Sequence, residues 1–182
     1  QTNLLKEVVN SKDKNIGFFP GSTIGNYCPE EAKLLLTNFS RIIGKDNFLI
    51  IGVDLRKEKN VMEMAYNDSK GITAKFNKNI LKGVSKKTGL KFNQNDFDHK
   101  AYFNEEKKRI EMHLVCKRNL NIDSFDDKIK ILKGESIHTE NSYKYSINEF
   151  KNLSKISGYK TVKVLTDDKN FFSIFFLKVS SS

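Results

Sequence analysis

Apolar positions come in short blocks that change period along the chain. Ile16-Gly17-Phe18-Phe19 is a brief apolar run closed by Pro20-Gly21. Such a run, ended by turn residues, predicts a buried strand of a parallel sheet. Pro29, Glu30 and Glu31 then open a helix, since Pro suits the first helical position and acids complement the positive end of the dipole. Ala32, Leu35, Leu36, Phe39, Ile42 and Ile43 recur at helical spacing, and Gly44 ends the run. Phe48 to Val53 is apolar on both faces and ends at Asp54. Strand, helix and strand in this order make a βαβ unit.

Residues 57–89 read as helical with a break near Gly71, and Phe76, Ile80, Leu81 and Val84 form a stripe closed by Gly89. Between Ala101 and Ile137 the period becomes two. Ile110, Met112, Leu114 and Cys116 alternate with Glu111, His113 and Val115, the pattern of a half-buried antiparallel strand. Short strands are expected near Ile122 and over Ile129–Leu132. Ser146 and Glu149 form a capping box ahead of Ile147, Phe150, Leu153 and Ile156, with Gly158 at the far end. Val162–Leu165 and Phe172–Val179 read as a strand pair joined by the turn at Asp167–Asn170. The order is βαβα, an antiparallel insert, then αββ, which describes the second half of a doubly wound sheet with an antiparallel edge hairpin. Open α/β sheets bind ligands beyond the carboxyl ends of their strands, so the loops after Phe19 and Val53 are the places to inspect.

Composition narrows the function. The 182 residues suit one domain, and 14 Phe with 6 Tyr supply a core. The formal charge is +10, from 32 Lys plus Arg against 22 Asp plus Glu. The lysines are spread over nearly every segment, which describes a solvated surface rather than a nucleic-acid footprint. No apolar run approaches the ~20 residues of a membrane-spanning helix. Cys28 and Cys116 are too few for a disulfide scaffold, and no secretory signal opens the sequence, so a reducing, cytoplasmic location is expected. The sequence starts at Gln1 rather than Met, so further sequence upstream is expected.

Most familiar chemistries find no support. Pro20–Asn26 follows a strand and precedes a helix, but its glycine spacing is not that of a phosphate loop, and no G-x-G occurs anywhere. His99, His113 and His138 lack metal-ligand spacing. Neither Cys lies beside a base. Asp54 could be catalytic or could tie down the neighbouring helix.

Five blocks in order carry a resemblance: F-F-P-G-S-T-I-G-N at Phe18–Asn26, G-V-D-L-R-K at Gly52–Lys57, A-Y-N-D at Ala65–Asp68, R-I-E-M-H-L at Arg109–Leu114, and G-E-S-I-H-T-E-N-S-Y-K-Y at Gly134–Tyr145. The chain from about residue 15 onward resembles the histidine-specific, S-adenosylmethionine-dependent methyltransferases, which include an enzyme of the ergothioneine pathway. The resemblance implies an α/β fold: the carboxy-terminal half of a class I, Rossmann-like methyltransferase sheet with an inserted antiparallel substrate-binding subdomain. Residues 1–90 would belong to the core, 91–145 to the insertion, and 146–182 to a closing helix and edge hairpin.

The resemblance also implies roles. Gly21, Asn26 and Tyr66 would hold the carboxylate and amino end of an amino acid, with Met112, Glu140 and Ser142 around an imidazole ring. The chemistry suits them, because Tyr66 can donate, Asn26 can donate and accept, and an ionised Glu140 can only accept. Each residue also has a plainer reading. Asn26 could cap the helix near Pro29, Tyr66 and Met112 could be core, and Glu140 and Ser142 could be loop surface. The family places its S-adenosylmethionine residues upstream of Gly21, so a fragment lacking the cofactor-binding half is expected. Its unpaired sheet edge invites self-association. The implied activity is N-methylation of the α-amino group of an amino acid, foremost L-histidine. The same chemistry on another amine, and a non-catalytic basic binding module, are the alternatives.

Overall fold

The computed structural model describes residues 14–123 and 128–180. In chain order its elements are β1 (Ile16–Phe19), α1 (Pro29–Ile43), β2 (Phe48–Asp54), α2 (Lys59–Tyr66), α3 (Ile72–Thr88), β3 (Phe97–Asn104), β4 (Arg109–Cys116), β5 (Leu120–Asp123), β6 (Lys128–Ile131), β7 (Ser136–Tyr143), α4 (Ile147–Ile156), β8 (Tyr159–Thr166) and β9 (Phe172–Val179). They divide into two units, Gln1–Lys57 with Ser142–Ser182, and Glu58–Asn141.

The first unit is a four-stranded sheet in the order β1-β2-β9-β8. β1 and β2 run parallel, with Ile16 opposite Phe48, and β9 is antiparallel to both β2 and β8. The βαβ unit and the closing antiparallel hairpin are therefore as the periodicity predicts. Pro29 is the first residue of α1, Glu30 and Glu31 lie in its first turn, and Gly44 ends it at φ 85°. At the start of α4, Ser146 Oγ accepts from the Glu149 N–H while Glu149 accepts from the Ser146 N–H. The core forms between one sheet face and these two helices. Leu49, Ile51, Val53, Phe175 and Leu177 meet Ala32, Leu36, Phe150 and Leu153 there. Each large side chain so buried stabilises the fold by about 1.5–3 kcal/mol.

β1 differs from expectation. It lies at a sheet edge among the described strands, and its residues alternate between exposed and half-buried. Phe19 points toward α1 and meets Phe39 edge-on at 5.3 Å. Ile16 and Phe18 point the other way and stay 65% and 71% exposed. The strand register puts Ile50, Ile174, Phe176 and Leu165 on that same face.

The second unit holds a three-stranded sheet, β3-β4-β7, and the β5-β6 hairpin. α2 packs on β3 and β4, and α3 on the same two strands. Met62 of α2 joins Ala101, Phe103, Ile110 and Met112, whereas Leu81 of α3 joins Phe97, Leu114, Cys116, Ile122 and Ile131. The two helices, expected with the parallel strands in residues 1–90, thus take their cores from the antiparallel strands, and the chain divides after Lys57 and after Asn141. The stripe on α3 is corrected too. Phe76 and Ile80 are exposed, and the buried face runs through Asn77 and Leu81, four residues apart. Between the helices, Asp68 accepts from the N–H groups of Ile72 and Thr73. Those bonds hold its carboxyl down at about 2. Among the described residues, no helix is long and apolar enough to cross a membrane.

Candidate functional site

In the first unit, the loop after β1 is fixed at three points. Ile24 is fully buried, and the Ser22 hydroxyl accepts the Asp54 N–H at 2.8 Å. Gly25 lies flat against the backbone of Tyr143, where a Cβ would sit 2.9 Å from the Tyr143 carbonyl oxygen and 3.5 Å from Ser142 Oγ. The fold therefore brings Ser142 to the loop that carries Gly21 and Asn26. Gly25→Ala should destabilise the chain by about 1–3 kcal/mol, read as a lower midpoint in urea, because the obstacle is backbone. A variant as stable as wild type would contradict this packing. Gly21 adopts φ 75°, and no atom of the described residues beyond its chain neighbours lies within 4 Å of where its side chain would be. Asn26 ends the 3-10 turn Thr23–Asn26, is exposed, and does not cap α1, whose N-cap is Cys28.

Sequence reasoning did not assign the ion cluster beside Ser142. Asp54, at the end of β2, accepts from Lys57 on one carboxylate oxygen and from Lys144 on the other, the latter at 2.5 Å. Lys144 is buried and also donates to Ser142 Oγ at 2.9 Å. Asp54 thus anchors the chain on both sides of it rather than facing outward as a base. Arg56 pairs with Glu149 at 2.5 Å, so the start of α4 is tied to the end of β2. The signal was present in the block S-Y-K-Y, where a lysine stands at the alternate position from Ser142.

Three further expected residues, Tyr66, Met112 and Glu140, lie in the second unit. Tyr66, at the end of α2, packs against the cluster that contains Met112, so the fold brings these two together. Met112 is 3% exposed, and its side chain fills that core. Glu140 stands on β7 rather than on a loop, at a hollow of about 240 Å³ lined also by Phe76, Asn77, Asn79, Ile80 and Thr139. Burial pushes its carboxyl above the ordinary carboxylate value.

In the second unit Glu111 is a heavily bonded acid. It accepts from Tyr102 at 2.7 Å, Asn104 at 3.1 Å and Arg109 at 2.8 Å, and faces His113 Nε2 at 3.2 Å. Burial alone would raise its carboxyl, but the bonds from Tyr102, Arg109 and His113 outweigh that and hold it at about 2. Burial also lowers His113, so its ring is neutral at pH 7. Nε2–H then donates to Glu111, and Nδ1 accepts from Ser136 Oγ at 2.9 Å. The ring stacks on Tyr102 at 5.2 Å and on His138 at 4.7 Å. Glu111, His113 and His138 bring ligand atoms within 4.8 Å of one another, a grouping the sequence spacing did not reveal. The two imidazole planes lie 11° apart, so their in-plane lone pairs run side by side rather than converging, and the carboxylate is already engaged. That geometry suits a stacked polar network better than a chelate.

The family model described as histidine-specific methyltransferase, SAM-dependent, matches residues 1–179. The chain belongs to this family. It is 33% identical over 129 residues to the histidine N-alpha-methyltransferase of Mycolicibacterium smegmatis, covering 70% of this chain and 40% of that protein. It is 29% identical over 158 residues to the histidine N-alpha-methyltransferase of Mycobacterium tuberculosis, covering 86% and 49%. The chain therefore spans less than half the length of either relative. A solved S-adenosylmethionine-dependent methyltransferase from Clostridium acetobutylicum superposes with a TM-score of 0.48 at 7% identity, over 95% of this chain and 61% of that one.

At Asp54 the fit to S-adenosylmethionine is poor. Asp54 is the acid at a strand end that could grip a ribose, but both its oxygens are taken by lysine ammonium groups. Those two cations would also repel a sulfonium.

Proposed function

We propose that the complete gene product is an S-adenosylmethionine-dependent N-methyltransferase that acts on the α-amino group of L-histidine, and that this chain supplies residues for the amino-acid acceptor. The observation that carries the reading is the family match over nearly the whole chain, with two relatives named for that reaction.

Under this reading Gly21 offers its open backbone, and Asn26 its exposed amide, to the carboxylate and amine. Tyr66 donates to the carboxylate. Glu140 accepts an imidazole N–H, Ser142 bonds the ring's other nitrogen, and Met112 backs the ring from the core. A half-buried carboxylate left without that N–H would go unpaired, which disfavours acceptors with plain hydrocarbon side chains. The chain's own contribution is to hold the acceptor in one orientation, the main source of rate when two reactants must align. The test is methyl transfer from S-adenosylmethionine to L-histidine by the complete gene product, followed by the mass of the amino acid. Steps of one methyl mass support the reading. No mass change with L-histidine, beside transfer to another amine, would replace the acceptor.

The edge that β1 forms among the described strands and the apolar face carrying Ile16 and Phe18 also support self-association of this chain. Sedimentation should show an associated species that Phe18→Lys shifts toward monomer. A wild-type chain that is monomeric at the highest soluble concentration would remove this proposal.

A further inference from the structure

The buried amide of Asn77 joins three segments of the second unit. Asn77 is 3% exposed on α3. Its Nδ2 lies 2.9 Å from His99 Nδ1 and 3.1 Å from the His113 carbonyl oxygen. An amide nitrogen only donates, so its two hydrogens go to these two acceptors and His99 Nδ1 carries none. His99 Nε2 then holds the ring proton and donates it to the Tyr66 carbonyl at 2.8 Å. On the amide's other side, the Thr139 hydroxyl is 2.6 Å from Asn77 Oδ1 and 2.9 Å from the Met112 carbonyl. Thr139 immediately precedes Glu140, and Asn77, Thr139 and Glu140 line the same hollow.

We propose that Asn77 is a positioning residue for the acceptor amino acid: one side chain fixes the end of α2 at Tyr66, β4 at Met112, and β7 beside Glu140. The proposal rests on the acceptor site described under Proposed function. It goes beyond that site because Asn77 is assigned no contact with the acceptor.

The arrangement is specific to an amide. Aspartate would set an acceptor against His99 Nδ1, while Nε2 still faces the Tyr66 carbonyl, so the ring would hold a proton on each nitrogen. Alanine would leave His99 Nδ1 and the His113 carbonyl without their donor and Thr139 without one acceptor. Buried groups stripped of partners make the segments shift until new partners are found.

The experiment compares wild-type chain with Asn77→Ala, Asn77→Asp and Leu81→Ala. Leu81 lies one helical turn on from Asn77 and belongs to a different apolar cluster from Met112. Calorimetric titration with L-histidine reads the site, thermal unfolding reads stability, and long-range nitrogen–proton NMR reads the His99 ring. Wild-type His99 is expected as the neutral Nε2–H form, and Asn77→Asp should show both nitrogens protonated at pH 7. Asn77→Ala should weaken L-histidine binding tenfold or more. Leu81→Ala should lower the melting temperature yet stay within twofold of wild-type affinity, which separates positioning from general destabilisation. Asn77→Ala within twofold of wild type, or wild-type His99 protonated at Nδ1, overturns the proposal. A wild type that takes up no L-histidine removes the acceptor reading and this proposal with it, a failure distinguished from the others by the wild-type titration itself.

Discussion

Glu111→Ala is expected to destabilise the chain by about 3–5 kcal/mol, the cost of removing one partner from a buried ion pair. The Arg109 guanidinium, 2.7 Å from the carboxylate and 11% exposed, would lose this ion pair. Tyr102, Asn104 and His113 would lose an acceptor in the same step. At 2–4 °C per kcal/mol for a chain of this size, the melting temperature should fall by about 10 °C. The acid dependence follows from the same bonds. The folded-state carboxyl sits at about 2, below its ordinary value of 4.5. A depressed carboxyl stabilises the folded state fully above the unfolded value and loses that stabilisation as pH falls toward the folded one. About 3 kcal/mol should therefore disappear between pH 4.5 and 2. Glu111→Gln should flatten that part of the profile. A Glu111→Ala chain within 1 kcal/mol of wild type would show that the network does not support the second unit.

The second large effect concerns recognition. Glu140→Ala should weaken L-histidine binding about 10- to 100-fold, the worth of a hydrogen bond to a charged group in a half-buried site. Stability should change little, because Glu140 makes no side-chain ion pair among the described residues and its carboxyl carries a burial cost. Affinity should also fall as the pH drops through the raised value of this carboxyl, since the protonated group no longer accepts at both oxygens. Glu140→Ala with unchanged affinity and a normal melting temperature would take Glu140 out of the site.

The parallel half of the fold was legible because its signals are local. Pro29, Glu30, Glu31 and Gly44 bracket one helix, Ser146 and Glu149 open another, and Phe48–Val53 is unbroken apolar sequence. β7 was not legible. Ser136–Tyr143 is nearly all polar, so no period-two pattern marks it, although its neighbour β4 shows one clearly. The face of α3 was misjudged because a buried amide, Asn77, takes a core position while Phe76 and Ile80 face outward. Nothing in a single sequence tells a satisfied buried amide from a solvated one. The expected roles of Gly21, Asn26, Tyr66, Met112, Glu140 and Ser142 rest on long blocks that resemble the family rather than on spacing. Lys144 and Asn77 escaped because their roles lie in partners distant in sequence, Asp54 and His99. Glu111 escaped although Arg109 stands two residues away, because its alternation with Ile110 and Met112 reads as an outward, solvated position.

The central claim is that this chain carries the acceptor-recognising part of a histidine methyltransferase. Calorimetric titration of the wild-type chain with L-histidine and, separately, with L-phenylalanine tests it most directly. The ring size is comparable, but only the imidazole offers an N–H to Glu140. Saturable binding of L-histidine at least tenfold tighter than of L-phenylalanine is the predicted result. Equal affinity for both, or heat from neither, would contradict it.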